Sequence, residues 1–319
     1  MEKTKKKMPK ALKIILWIVG IFLLVNLIAA LPVASFIEVQ VLKGKGDYER
    51  TREANMKAWL DEETSMDADE FEKTYQMTSL NLPSSENIGY VIPVFHFIPE
   101  AEAKGFVVMA HGMNSSHIGI YPEAELFLEE GYEVFSFDER KFGESTWEYI
   151  SYGYYEGKDV ADVFQYACDS SPEYYIKGIW GQSLGGAACE DALDNDGLRE
   201  KLDFVVLDCP MGAMDELTGA PAIQNKLAGK FNKSIVGYSF DEQNPYGKLK
   251  QNTAPVLLLL AKEDKVIPEI SLNKIRESVE ASPAELSVYE SEGSPHADIV
   301  YVDRDGYKEI LDYFLKALE

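Results

Sequence analysis

Residues 177–193 read KGIWGQSLGGAACEDAL, and the two halves of this stretch follow different rules. Lys177 to Trp180 suits a buried strand, whereas Leu184 onward is small and helix-forming, so the chain turns sharply at Gly181-Gln182-Ser183-Leu184-Gly185. A nucleophile on so tight a strand-to-helix turn needs glycine two residues before and two after, because larger side chains would collide inside the bend. The helix N-terminus then faces a developing oxyanion. A G-x-S-x-G string is weak by itself; the strand before it and the helix after it carry the inference.

A serine hydroxyl needs a base, and the chain holds four histidines, at 96, 111, 117 and 296. His296 lies in the turn Gly293-Ser294-Pro295-His296, between the apolar stretch AELSVYES (284–291) and the last helical pattern, which places it at the C-terminal end of a sheet. An imidazole in turn needs an acid to fix its tautomer and balance its charged form. Asp264 closes PVLLLLAKED (255–264) on the same edge; the adjacent Glu263 is the alternative acid. His96 and His117 fit no metal-ligand spacing and read as ordinary loop or strand histidines.

Outward from this turn, strand and helix patterns alternate. Strands are expected at 74–80 and 88–98, then FVVMAHG (106–112), YEVFSFDE (132–139), KGIWGQS (177–183), DFVVLDCP (203–210), PVLLLLAKED and AELSVYES. Helices fall at 122–131, 160–168, 184–193, 271–282 and 307–318. This alternation predicts an α/β protein with a mostly parallel, doubly wound sheet covered on both faces. Residues 211–253 separate two core strands by far more than a crossover needs. Their segments of moderate helicity (MDEL, IQNKLAGKF, KLK) predict a small helical cap over the sheet's C-terminal edge, where open α/β sheets place their sites. An ordinary surface excursion is the competing reading.

The order Ser183, Asp264, His296 is the nucleophile, acid, base order of α/β-hydrolases. From about Thr74 to Glu319 the sequence resembles that superfamily, near the bacterial capped esterase and lipase-like branch that also contains monoacylglycerol lipases and serine aminopeptidases. The match rests on His111-Gly112 after a strand, the segment Asp138 to Ser145, the Ser183 turn, and the Asp264 and His296 loops. The resemblance implies that the backbone amides of Met113 and Leu184 hold the oxyanion, and that His111 is structural rather than a base. It also implies that Asp138 to Ser145 shapes a turn beneath the site, with Asp138 and Arg140 expected as a partly buried ion pair. One departure is that such proteins usually carry Gly-His at the base, whereas here Pro295 precedes His296.

No metal or organic cofactor is implied. The expected activity is that of a serine hydrolase cleaving small acyl esters through an acyl-enzyme. Ser-His-Asp chemistry does not distinguish esters from amides or thioesters, so a peptidase or thioesterase is the alternative, and a non-catalytic surface binding module that kept the fold is a third. The aromatic run Trp147, Tyr149, Tyr152, Tyr154 and Tyr155 is expected either to line a pocket or to pack a loop, and Met113, Met211 and Met214 to supply an adaptable apolar wall. Met109 belongs to a core strand.

Charge narrows the partners. The 319-residue chain carries 31 basic and 54 acidic residues, a formal net charge of −23, which repels phosphate backbones and makes nucleic acid a poor partner. The same field argues against polyanionic substrates such as acyl-CoA. The three cysteines, 168, 189 and 209, fit neither a disulfide framework nor a zinc pair and are expected as small buried apolar residues.

The front of the chain differs physically from the rest. Lys3, Lys5, Lys6, Lys7, Lys10 and Lys13 precede the uncharged run Ile14 to Leu31, which as a helix spans roughly 27 Å, close to a bilayer's hydrocarbon thickness. Five pieces are therefore expected: a basic cytoplasmic tail (1–13), a transmembrane anchor (14–31), a helical connector (32–73) with Met56, Trp59 and Leu60 inward, a hydrolase domain (74–319), and within it the cap, about 211–253. The lysines place the N-terminus in the cytoplasm and the body outside. A cleaved signal peptide with a secreted body is the main alternative, and a hydrophobic helix docked on a cytoplasmic domain is a third reading; the run exceeds the usual h-region, which favours the anchor.

Overall fold

The computed structural model describes residues 8–37 and 68–319. After α1 (Lys10–Ile37) and α2 (Ala68–Thr74), an antiparallel hairpin of β1 (Thr78–Pro83) and β2 (Val91–Phe97) leads into alternating strands and helices. These are β3 (Gly105–Ala110), α3 (Tyr121–Glu129), β4 (Tyr132–Phe137), α4 (Glu156–Ser170), β5 (Ile176–Gln182), α5 (Leu184–Ala192), α6 (Asp196–Arg199) and β6 (Phe204–Asp208). The excursion that follows holds α7 (Met214–Leu217), α8 (Ala222–Val236) and α9 (Pro245–Leu249). The chain closes with β7 (Val256–Ala261), α10 (Glu269–Glu280), β8 (Leu286–Ser291), α11 (Ile299–Val302) and α12 (Arg304–Lys316).

The eight strands lie in the order β1-β2-β4-β3-β5-β6-β7-β8; β1, β2 and β4 pair antiparallel, and every pair from β4 onward is parallel. Alternation along the strands builds two cores. Val107, Met109, Val134, Trp180, Phe204, Val206, Leu257 and Leu259 face the side covered by α2, α3 and α12. Their neighbours Phe106, Val108, Phe135, Ile179, Val205, Leu207, Val256 and Leu258 face α4, α5 and α10. The mostly parallel, doubly wound sheet read from the sequence is thus present, with the strands expected from 88 onward and each long helix in place; the strand expected at 74–80 instead runs Thr78–Pro83, because Thr74 ends α2.

Three other details differ. The folded body reaches further forward than the expected boundary at 74, because Phe71 of α2 stacks on Tyr121 at 4.5 Å and packs on Phe97. Asp264 lies three residues beyond the end of β7, in the loop rather than in the strand. Cys168 is only partly buried, whereas Cys189 and Cys209 are buried; all three are free thiols.

At the N-terminus α1 is one continuous helix, and Asn26, the lone polar residue of the apolar run, donates to the Phe22 carbonyl at 2.8 Å. The described side chains of α1 end at Ile28, and no helix among the described residues is long and apolar enough to cross a membrane. The anchor expected at 14–31 is therefore not supported by them. Most of the expected connector, with Met56, Trp59 and Leu60, lies outside the described residues.

Candidate active site

The bend at Ser183 is as tight as its sequence requires. Ser183 holds φ 53° and ψ −109°, a conformation that costs a residue with a Cβ about 1–3 kcal/mol and persists only where its surroundings enforce it. Here its amide donates to the Asp208 carbonyl at 3.0 Å, and its own carbonyl accepts from Met211 at 3.0 Å and Ala187 at 3.2 Å. A Cβ at Gly181 would stand 2.2 Å from the Gly185 carbonyl oxygen, and one at Gly185 would stand 2.0 Å from that of Ala110. Both glycines are obligatory for contact reasons.

The three residues singled out in the sequence meet at the C-terminal edge of the sheet. His296 Nε2 lies 2.8 Å from Ser183 Oγ, and His296 Nδ1 lies 2.7 Å from Asp264 Oδ2. The other Asp264 oxygen accepts the amides of Val266 at 2.7 Å and Ile267 at 3.0 Å, so both are occupied; Glu263 is exposed and takes no part. Burial pushes the Asp264 carboxyl up, but the His296 hydrogen bond and the two amides outweigh it and hold the group below its ordinary value. Asp264 thus contributes stability that is present above the usual carboxylate range and lost only as the pH falls through its depressed value. Pro295 in place of glycine is accommodated because Gly293 (φ 73°) and Ala297 (φ 61°) make the turn on either side, and the Ser294 carbonyl accepts from the Glu263 amide at 3.0 Å, tying the two loops together.

The Gly112–Met113 turn lies beside Ser183, since a Cβ built on Gly112 would be 3.5 Å from the Ser183 Cβ. Among the described residues neither the Met113 nor the Leu184 amide donates to a protein acceptor. A cleft of about 230 Å³ opens here, lined by Met113, Ser115, Glu123, Gln182, Ser183, His296 and Tyr301 among others. His111 is fully buried: its Nε2 accepts the Glu139 amide at 3.0 Å, which leaves the proton on Nδ1, donated to the Gly112 carbonyl at 2.8 Å. Burial pushes its pKa down, as expected of a neutral scaffold residue.

The expected Asp138–Arg140 ion pair does not form. Asp138 accepts from the backbone and Nδ1 of His117 and from the Glu144 amide, while Arg140 turns the other way to a fork on Asp159, at 2.6 and 2.8 Å. The positive φ of Lys141 (74°) and Gly143 (48°) folds the segment back over Asp138, leaving Arg140 aimed at α4. The aromatic run packs the loop: Trp147 and Tyr155 cover the Arg140 guanidinium, and Tyr154 stacks on Tyr238 of the cap. Met211 and Met214 join Leu184 in a third apolar cluster that binds the excursion after β6 to the Ser183 turn, with Met113 packed against it.

Two acids beneath the cleft were not singled out in the sequence, where they read as one residue of a helix and one of a strand. Gln182 Nε2 donates to Glu123 at 3.1 Å and lies 3.5 Å from Asp208. Burial, then the Asp208 charge, pushes Glu123 up to about 8; burial pushes Asp208 up to about 6. An acid with a raised folded-state pKa holds its proton while the unfolded chain has lost it, so stability falls as the pH rises from the ordinary carboxyl value to the raised one. Glu123→Gln removes that term. Its melting temperature relative to wild type is expected to climb between pH 5 and pH 9, and an equal difference at both would contradict the assignment. Among the described residues one metal-competent grouping occurs, Cys209, Asp264 and His296, with ligand atoms within 4.8 Å, two of them already committed to the His296–Asp264 hydrogen bond.

A family model described as "Serine aminopeptidase, S33" matches residues 101–248. The chain is 28% identical over 274 residues to the uncharacterized protein YqkD of Bacillus subtilis, covering 79% of this chain and 84% of that one. It is also 28% identical to YfhR of Escherichia coli K12, over 69% of this chain and 73% of that one. Among solved structures, the Pyrococcus furiosus esterase Pf2001 superposes with TM-score 0.62 at 21% identity, covering 79% of this chain and 96% of that one. A carboxyl esterase from Bacillus coagulans superposes with TM-score 0.61 at 12% identity, covering 76% and 98%. By its strand order, the tight turn at Ser183 and these likenesses, the chain has the α/β-hydrolase fold and is similar in sequence to that superfamily.

Proposed function

We propose that the protein is a serine hydrolase that cleaves carboxylic esters of modest size. The observation that carries this reading is the hydrogen-bonded line from Ser183 Oγ through the His296 ring to Asp264. His296 Nε2 takes the hydroxyl proton as Ser183 Oγ attacks the acyl carbon, and the amides of Met113 and Leu184 receive the oxyanion, each such donor being worth about 3 kcal/mol of barrier. The proton then passes from Nε2 to the leaving alcohol. In the second half His296 activates a water that attacks the acyl-enzyme, while Asp264 holds the imidazole in one tautomer and balances its charge. Both structural neighbours named above are esterases, which favours an ester over an amide.

A fluorophosphonate probe tests the chemistry without a known substrate. Wild type is expected to label at a single serine; labelling that persists in Ser183→Ala would remove this reading. A panel of p-nitrophenyl esters, thioesters and aminoacyl amides then separates the esterase from the peptidase and thioesterase, with esters expected to be turned over fastest.

The same proposal places α1 in the cell membrane, with the lysines cytoplasmic and the body outside. It is supported by the uncharged run from Ile14 to Leu31 and by the exposure of its apolar side chains, from 72% at Trp17 to 46% at Val19. Protease added to intact cells is expected to remove the body; a body left untouched would reverse the topology.

A further inference from the structure

A helix on the surface of a water-soluble domain normally buries its large apolar residues and shows its polar ones. α8 does the reverse. Toward the body it buries Asn225, Ala228, Gly229, Asn232 and, at its last residue, Val236. The asparagine amides donate there: Asn225 Nδ2 to the carbonyls of Asp215 and Ala220, and Asn232 Nδ2 to that of Tyr238, all at 3.0 Å. Outward it presents Ile223, Leu227, Phe231 and Ile235, four residues apart, at 43, 39, 47 and 37% exposure. Apart from Val236 in the last turn, small and polar side chains hold the helix to the protein, and the larger apolar ones face outward.

The flank of that stripe is basic. Lys226, Lys230 and Lys233 are exposed along one side of it, Lys233 also reaching Glu242, and the helix contains no acid. This stands out in a chain of net charge −23. α1 packs against α8, and its own apolar side chains from Ile14 to Ile28 are exposed, so the two helices make one continuous apolar surface.

We propose that α8 lies on an anionic phospholipid bilayer, with Ile223, Leu227, Phe231 and Ile235 in the acyl region and the three lysines at the headgroup phosphates. An apolar stripe flanked by lysine is the composition of a helix in the plane of a membrane interface. The basic flank selects this occupant over a second copy of the chain meeting it face to face, which would set three lysines against three lysines. It also sets the orientation, since the acidic body is repelled by the surface that the lysines seek. The inner residues Ala228 and Val236 share an apolar cluster with Leu184 and Met211, so docking brings the nucleophile turn to the bilayer. Delivery of a bilayer-borne ester to Ser183 rests on the function proposed above; the docking itself does not.

The test uses the full chain in phosphatidylcholine vesicles with and without phosphatidylglycerol, in a Cys168→Ser background. A bimane label at Leu227→Cys is read against one at Tyr313→Cys, a more exposed site on α12 (71% against 39%), so that exposure alone would favour quenching at 313. Brominated lipid is expected to quench the label at 227 about threefold more than that at 313 when phosphatidylglycerol is present, and the excess is expected to vanish in Lys226→Glu/Lys230→Glu/Lys233→Glu. Equal quenching at the two sites overturns the proposal. So does a label at 227 shielded by self-association, read as a doubled mass with no quenching. Quenching as expected from a protein inert toward every ester would leave the docking standing and remove the chemistry.

Discussion

Ser183→Ala is expected to lower ester turnover by about 10⁴- to 10⁶-fold while leaving the melting temperature near that of wild type. The magnitude follows from the covalent route: without Oγ there is no acyl-enzyme, and only the oxyanion amides and substrate positioning remain. Stability should not suffer, because the hydroxyl makes one side-chain contact, to His296, whereas the bend is held by backbone hydrogen bonds and by glycine contacts. Alanine at this strained φ is no worse than serine. His296→Ala is expected to cost a similar factor, and the two together little more than either, since they act as one unit. Asp264→Asn should fall by about 10⁴-fold through the wrong tautomer, with Glu263→Gln near wild type. Burst kinetics and steady-state turnover on a p-nitrophenyl ester read the four single variants and the double. A Ser183→Ala protein retaining more than a few per cent of activity would place the nucleophile elsewhere.

The largest expected effect on stability lies at Arg140. Its guanidinium is fully buried, forks onto Asp159, donates to Asn87 at 2.7 Å, and is covered by the rings of Tyr90, Trp147 and Tyr155 at 4.8 to 5.0 Å. Burial already pushes Asp159 up to about 6 despite the arginine, with Glu156 adding to the same push. Arg140→Met leaves that carboxylate without a counter-charge and is expected to cost about 3–5 kcal/mol, a large share of an ordinary domain's margin. Arg140→Lys cannot reproduce the fork and should recover only part of it. Arg140→Met/Asp159→Leu removes both charges and should be more stable than the single mutant. Urea unfolding of the body decides, and a single mutant no less stable than the double would show that the pair is not what holds this loop to α4. A loosened loop would also disturb the cap, because Tyr154 of the same loop stacks on Tyr238.

Both predictions depend on how much the sequence alone could disclose. Ser183 was legible because its constraints are local: two glycines, a strand on one side and a helix on the other lie within a few residues, and backbone sterics act over that distance. Asp264 and His296 were legible for a related reason, as each ends up in a loop after a recognisable strand, and parallel strands send all such loops to one edge. The partner of Arg140 was not. Asp138 is nearer in sequence, but the turn through Lys141 and Gly143 points the two side chains apart, and Asp159 arrives from a helix whose register no local pattern specifies. Glu123 and Asp208 look unremarkable until two different elements bring their carboxyls to Gln182.

The amino-acid sequence by itself determined the alternation of strand and helix, the bend at Ser183 and the edge of the sheet on which the three reactive side chains gather, because short-range sterics and hydrophobic period set each of these. Tertiary structure decided which charges pair, which acids are buried under the cleft, and which face of the cap helix α8 turns inward. Period alone says only that a helix has an apolar face. Whether that face meets the protein core or the surroundings depends on what hydrogen bonds the opposite face can make, and here buried asparagines claim the inside.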